Sequence, residues 1–70
     1  MTLNDQIIDE AEELAHLING YLPAAEIVDA VSDRIGIRLA LNSIGGRLAE
    51  AAYNRIWFAE SQVREVEFSQ

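Results

Sequence analysis

Apolar residues recur at helical spacing along most of the chain. Ile7, Ile8, Ala11, Leu14, Ala15 and Ile18 share one face, which predicts a first helix over Asn4 to Asn19. Thr2 with Asp5 has the spacing of a capping box, Asn4 is an alternative cap, and the acids of the opening turns suit the helix dipole. Gly20 then stands where a helix stops and Pro23 where the next one starts. The second helix is expected over Pro23 to Arg34. Ala24, Ile27, Val28, Val31 and Ile35 point inward, Glu26, Asp29 and Asp33 point outward, and Gly36 ends it. Ile37, Leu39 and Leu41 alternate with Arg38 and Ala40, a period of two that suits a turn and a very short strand. A third helix follows over Leu41 to Tyr53. Its inward set is Leu41, Ile44, Leu48, Ala51 and Ala52, and its outward set is Ser43, Gly46, Arg47, Glu50 and Asn54.

The tail, Arg55 to Phe68, carries two patterns. As strands, Arg55–Glu60 and Val63–Phe68 are rich in Ile, Trp, Phe and Val on either side of a polar Ser61–Gln62 turn. As helix, Leu48, Ala52, Ile56, Ala59, Val63 and Val66 repeat at steps of four and three. The density of aromatic and β-branched residues, with Tyr53-Asn54 as a break, favours the hairpin. The fold expected is mainly α: a three-helix helix-turn-helix core, Ala24 to Tyr53 at its centre, with a C-terminal β-hairpin wing. The alternative is all-α with an extended third helix.

Length and composition narrow the setting. Seventy residues make one domain near the lower limit for folding without staples, and the absence of cysteine excludes disulfides and thiolate metal sites. Half the residues are hydrophobic, enough for a core. No apolar run reaches the ~18 residues of a membrane span, and the acidic start is unlike a signal peptide. A cytoplasmic location, with no membrane partner, is the expectation.

Charge is divided along the chain. Residues 1–33 hold eight acids and no Lys or Arg; residues 34–70 hold four acids and all five arginines, Arg34, Arg38, Arg47, Arg55 and Arg64. A net charge of −7 opposes general attraction to phosphate, so any DNA contact must come from the second half.

The order helix, helix, short strand, helix, hairpin is that of a winged helix-turn-helix. Ser43-Ile44-Gly45-Gly46-Arg47-Leu48, then Tyr53-Asn54-Arg55 and Trp57, resembles the third helix and first wing strand of small domains of this family in bacteriophage and bacterial regulators. The resemblance covers about residues 23–68, on a short motif. It departs at Gly46, where a basic residue is common, at Ala52, where a Gly is common, and in the acids Glu60, Glu65 and Glu67 of the wing. It implies a third helix in the major groove and a wing on the backbone. Ser43, Arg47 and Asn54 would then face bases, with Arg38, Arg55 and Arg64 on phosphates.

Other constellations carry other chemistry. Arg47 can grip a guanine edge or a carboxylate bidentately, or lie solvated against Glu50 or Ser43. Gly45-Gly46 within a helix costs on the order of 2 kcal/mol against two alanines. Gly45 is read as close packing against helix 2, and Gly46 as a point where a ligand approaches the backbone. Glu13-x-x-His16 has the spacing of a carboxylate-bridged metal site, but such sites need two inward-facing copies. It reads as part of a solvated face with Asp9 and Glu12, and no metal or cofactor is expected. An uncompensated acidic face can instead dock on a basic protein surface, which brings in Asp9, Glu12, Glu13, Glu26 and Asp29. Trp57, left exposed in a hairpin, offers a seam for a homodimer. One histidine among carboxylates, with no cysteine and scattered serines, makes no catalytic set, so an enzyme is not expected. Two functions follow: a small dimeric DNA-binding regulator, or an acidic protein-binding module such as a phage-encoded inhibitor of a nucleic-acid enzyme or defence complex.

Overall fold

In the computed structural model, residues 2–18 and 20–68 are described, with side chains as far as Ser61. Helix α1 spans Leu3–Leu17. Thr2 caps it as expected: its hydroxyl accepts from Asp5 N at 3.2 Å while the Asp5 carboxylate accepts from Thr2 N at 3.4 Å. The helix stops at the extended Ile18, whose N–H still reaches Leu14 O, so it ends short of the expected Asn19, which lies outside the described residues. Helix α2 spans Ala24–Ile35. Pro23 is its N-cap rather than its first residue, and Gly36 closes it at φ 75°, a left-handed conformation that glycine adopts without a Cβ penalty.

Residues 37–41 form no strand, and among the described residues none exists for them to pair with. The segment is tied to α2 by side chains instead. Arg38 bonds Asp29 and Asp33, and Leu39 N donates to Ser32 Oγ at 3.0 Å, while that hydroxyl donates to Val28 O at 2.7 Å. Ser32 is buried, a position the apolar pattern did not assign. Ser32→Ala should therefore cost about 1–2 kcal/mol by stranding Leu39 N–H; a urea melt matching the wild type would contradict this.

Helix α3 spans Ile44–Phe68, and this corrects the expected fold. There is no C-terminal β-hairpin wing: Arg55–Glu60 and Val63–Phe68 are helical, and the all-α alternative is the arrangement adopted. A two-residue hairpin loop needs positive φ, which Ser61-Gln62 supplies poorly. The step-of-four-and-three repeat instead lets Ile56 and Trp57 pack against the core and brings Glu60 to α1. At 1.5 Å per residue α3 is about 37 Å long, which accounts for the 43 Å long dimension of the molecule. It also starts later than expected, because Ser43 caps it: its hydroxyl accepts from Gly46 N at 3.1 Å and donates to Ala40 O at 2.7 Å.

The core gathers Ile7, Ala11, Leu14 and Ala15 of α1, Ile27 and Val31 of α2, and Ala49, Ala52 and Tyr53 of α3. The buried alanines on both helices allow α1 and α3 to approach closely. Tyr53, fully enclosed, reaches through to donate its hydroxyl to Gly20 O at 2.7 Å.

Candidate functional site

The face that α3 buries is not the one its large apolar residues suggest. Gly45, Ala49, Ala52, Tyr53 and Ile56 turn toward the rest of the protein, while the expected inward residues Leu41, Ile44 and Ala51 are exposed and Leu48 is half-buried. Small residues won because they let the α3 backbone close on α1. A Cβ on Gly45 would stand 3.0 Å from Leu39 Cδ2 and 3.3 Å from Ile7 Cδ1. Gly45 thus packs against α1 and Leu39, rather than against helix 2. Gly46, expected to face outward, is buried, and its absent Cβ would fall 2.2 Å from Ala40 O. The backbone that approaches Gly46 belongs to this chain's own turn, not to a ligand.

The consequence is an apolar stripe facing solvent. Along α3, Ile44, Leu48, Ala51 and Phe58 follow one another at steps of four, three and seven, with Leu48 half-buried and Arg55 inside the last interval, and Leu41 is exposed in the turn before the helix. Ile44 is 77 % exposed and Phe58 57 %. Two concavities run along the stripe. One, of about 180 Å³, lies between α1 and α3 and is lined by Ile8, Leu48, Ala51, Ala52 and Arg55. The other, an open groove of about 490 Å³, is lined by Tyr21, Ala51, Asn54, Arg55, Trp57 and Phe58. Ala51 and Arg55 line both. Trp57 is half-buried and meets Tyr21 edge-on, ring centroids 6.1 Å apart, forming a wall of the groove instead of a free seam.

The arginines answer the acids across the fold. Arg34 binds Glu10 at 2.6 Å and Glu13 at 3.1 Å, joining α2 to α1. The hydrogen bond that Arg34 donates to Glu10, opposed by desolvation, raises the Arg34 pKa above its ordinary value. Arg38 holds Asp29 and Asp33, and Arg55 reaches Glu12 at 3.3 Å. His16 Nδ1 lies 2.6 Å from Glu60 Oε1, and since a carboxylate only accepts, that nitrogen carries the proton. These pairs are exposed and screened by solvent, so each adds little to stability. Their effect is to occupy charges rather than to hold the fold.

The sequence-derived candidates are dispersed accordingly. Of the nucleic-acid set, Ser43 caps α3, Arg38 and Arg55 are in ion pairs, Asn54 is half-buried in the groove, and the side chain of Arg64 lies outside the described residues. Arg47 is exposed and makes no ion pair among the described residues. Of the acidic set, Glu12, Glu13 and Asp29 are paired, whereas Asp9 and Glu26 are exposed and unpaired among those residues. The acidic face is therefore not without counter-charge, as the sequence suggested. No group of His, Asp and Glu among the described residues could hold a metal ion. Likewise, no helix there is long and apolar enough to cross a membrane.

Tyr21 lies between α1 and α2, outside every apolar repeat, and Phe58, expected as a core or wing anchor, is exposed instead. The signal for Phe58 was present in the second apolar repeat of α3, which could not be told from the first without knowing that small residues face α1. Compared with known proteins, the chain matches no family model, no curated protein and no solved structure.

Proposed function

We propose that the chain is a non-catalytic protein-binding module that works through the outward side of α3. The observation that carries this reading is the exposed stripe of Leu41, Ile44, Ala51 and Phe58, continuous with a groove walled by Tyr21 and Trp57. A helix that buries one face and leaves large apolar groups on a second is organised for a partner, because a contiguous exposed apolar surface is otherwise a liability. Aromatic walls beside small apolar floors are also the usual composition of binding hot spots.

DNA binding is the second reading, and it rests on Arg47. That side chain is exposed and uncommitted, but it shares its side of α3 with Glu50, on a chain of net charge −7. One arginine supplies little of the electrostatic attraction that ordinary DNA binders depend on.

The two readings separate by substitution. Affinity capture with the wild type and with an Ile44→Asp, Phe58→Asp variant should retain partners only in the first case, with both proteins equally helical by circular dichroism. Equal capture by both overturns the protein-binding reading. So does tight binding to random duplex DNA at low salt that Arg47→Ala removes.

A further inference from the structure

We propose that the occupant of the α3 groove is an amphipathic α-helix of a partner protein, with an apolar seam and a basic flank that lies along α1. This rests on the protein-binding reading above and specifies its partner. The stripe from Ile44 to Phe58 covers about 21 Å of helix axis, roughly four turns. Its residues step by four, three and seven, with Arg55 at the intermediate position of the last interval, a helical repeat of the kind that receives the ridges of another helix. Ala51, shared by both concavities, is a small residue between the larger Leu48 and Phe58, so a partner side chain has a place to descend.

Charge selects the flank. Ile8 is the α1 residue that lines the smaller concavity beside the groove, and Asp5 and Glu12 stand three before and four after it, on the same side of the helix. Asp9 follows, exposed and without an ion pair among the described residues. Arg55 answers Glu12 alone, so the α1 rim of the groove stays negative. The opposite rim, with Arg47, Glu50 and Asn54, has no net charge. A helix with Lys or Arg toward α1 complements this arrangement. A second copy of the chain does not: it brings another −7, and an antiparallel two-fold pairing of α3 helices would set one acidic α1 rim against the other.

The test uses the full chain and two labelled, amidated synthetic peptides of about four helical turns. Both have leucine at seam positions; one has lysine on its flanks and the other glutamate. A third peptide has the lysine version's composition in scrambled order. By fluorescence anisotropy the lysine helix should bind saturably at one to one, at least about tenfold tighter than the other two. Ala51→Arg, an exposed change that helix propensity tolerates, should weaken binding by at least about tenfold without lowering the melting temperature. Asp9→Lys should weaken the lysine peptide and not the glutamate one.

Equal binding of the lysine and glutamate helices, or indifference to Ala51→Arg, overturns the inference. If sedimentation velocity finds a dimer that Ala51→Arg dissociates, a second copy covers the stripe: the inference falls and the protein-binding reading stands. If Ala51→Arg changes neither peptide binding, self-association nor partner capture, both fall.

Discussion

Gly46→Ala should strongly destabilise the domain, although by helix propensity alone it is a favourable change. Replacing an interior helical glycine by alanine is worth about 1 kcal/mol. Here the new methyl would sit 2.2 Å from Ala40 O and 2.8 Å from Leu41 O, far inside contact distance. The obstacle is backbone, which cannot rotate aside as a side chain would. Ala40 O also accepts from Ser43 N and from the Ser43 hydroxyl, so moving it dismantles the turn and the cap of α3 together. Overpacking of this kind costs about 1–3 kcal/mol and sometimes more. A domain this small has a total stability of only about 3–5 kcal/mol. Gly45→Ala is the informative contrast: its neighbours are the ends of the Leu39 and Ile7 side chains, at 3.0 and 3.3 Å, which can yield. It should melt close to the wild type, and Gly20→Ala, which meets nothing within 4 Å, should do so as well. Thermal and urea melts of the three variants decide the matter; a Gly46→Ala protein as stable as the wild type would mean that the 40–46 turn is not packed as described.

The same glycine pair shows how far local pattern carries. Thr2 with Asp5 and Gly36 act through neighbours a few residues away, and both were legible as helix ends. The three helices were legible too, since each needs only its own periodicity. The phase of α3 was not. Two apolar faces compete on it, and the choice depends on how closely α1 can approach, which is set by Ala11 and Ala15 more than thirty positions away. The tail was misread as a wing because aromatic and β-branched residues favour strands only when a turn lets them pair, and Ser61-Gln62 is not such a turn. The site was legible in its residues but not in its arrangement. Arg38 and Arg55 stood out as free cations and Glu12, Glu13 and Asp29 as free acids, because a sequence shows charge without showing which opposite charge it meets.

Tyr53→Ala is the other change with a large expected effect, and its comparison with Tyr53→Phe separates packing from hydrogen bonding. Tyr53 is the largest fully enclosed side chain, set among residues from all three helices. Truncation to alanine should cost about 3–5 kcal/mol, as for other buried aromatics, and remove most of the stability available. Phenylalanine keeps the ring and loses the bond to Gly20 O, which should cost about 1 kcal/mol. The hydroxyl also leaves a mark in pH. Burial first, and then the nearby Glu60 charge, raise its pKa above the ordinary 10.0, so the folded state holds this proton more tightly than the unfolded chain. Its contribution is intact below pH 10, where the unfolded tyrosine begins to ionise, and is lost as pH rises through the folded value. The wild type should therefore lose stability on the alkaline side more steeply than Tyr53→Phe, and urea melts between about pH 8 and 11 should converge for the two proteins as that contribution disappears. Parallel curves would show that the hydroxyl is equally exposed in both states. Gly20 O lies next to Tyr21, so the same bond steadies the residue that walls the α3 groove against Trp57. Tyr53→Phe should accordingly alter Trp57 fluorescence in the folded protein and weaken peptide binding by a few-fold, at a position the peptide never touches. A variant that is less stable yet binds as tightly as the wild type would show instead that Trp57 and Phe58 hold the groove open without help from the linker between α1 and α2.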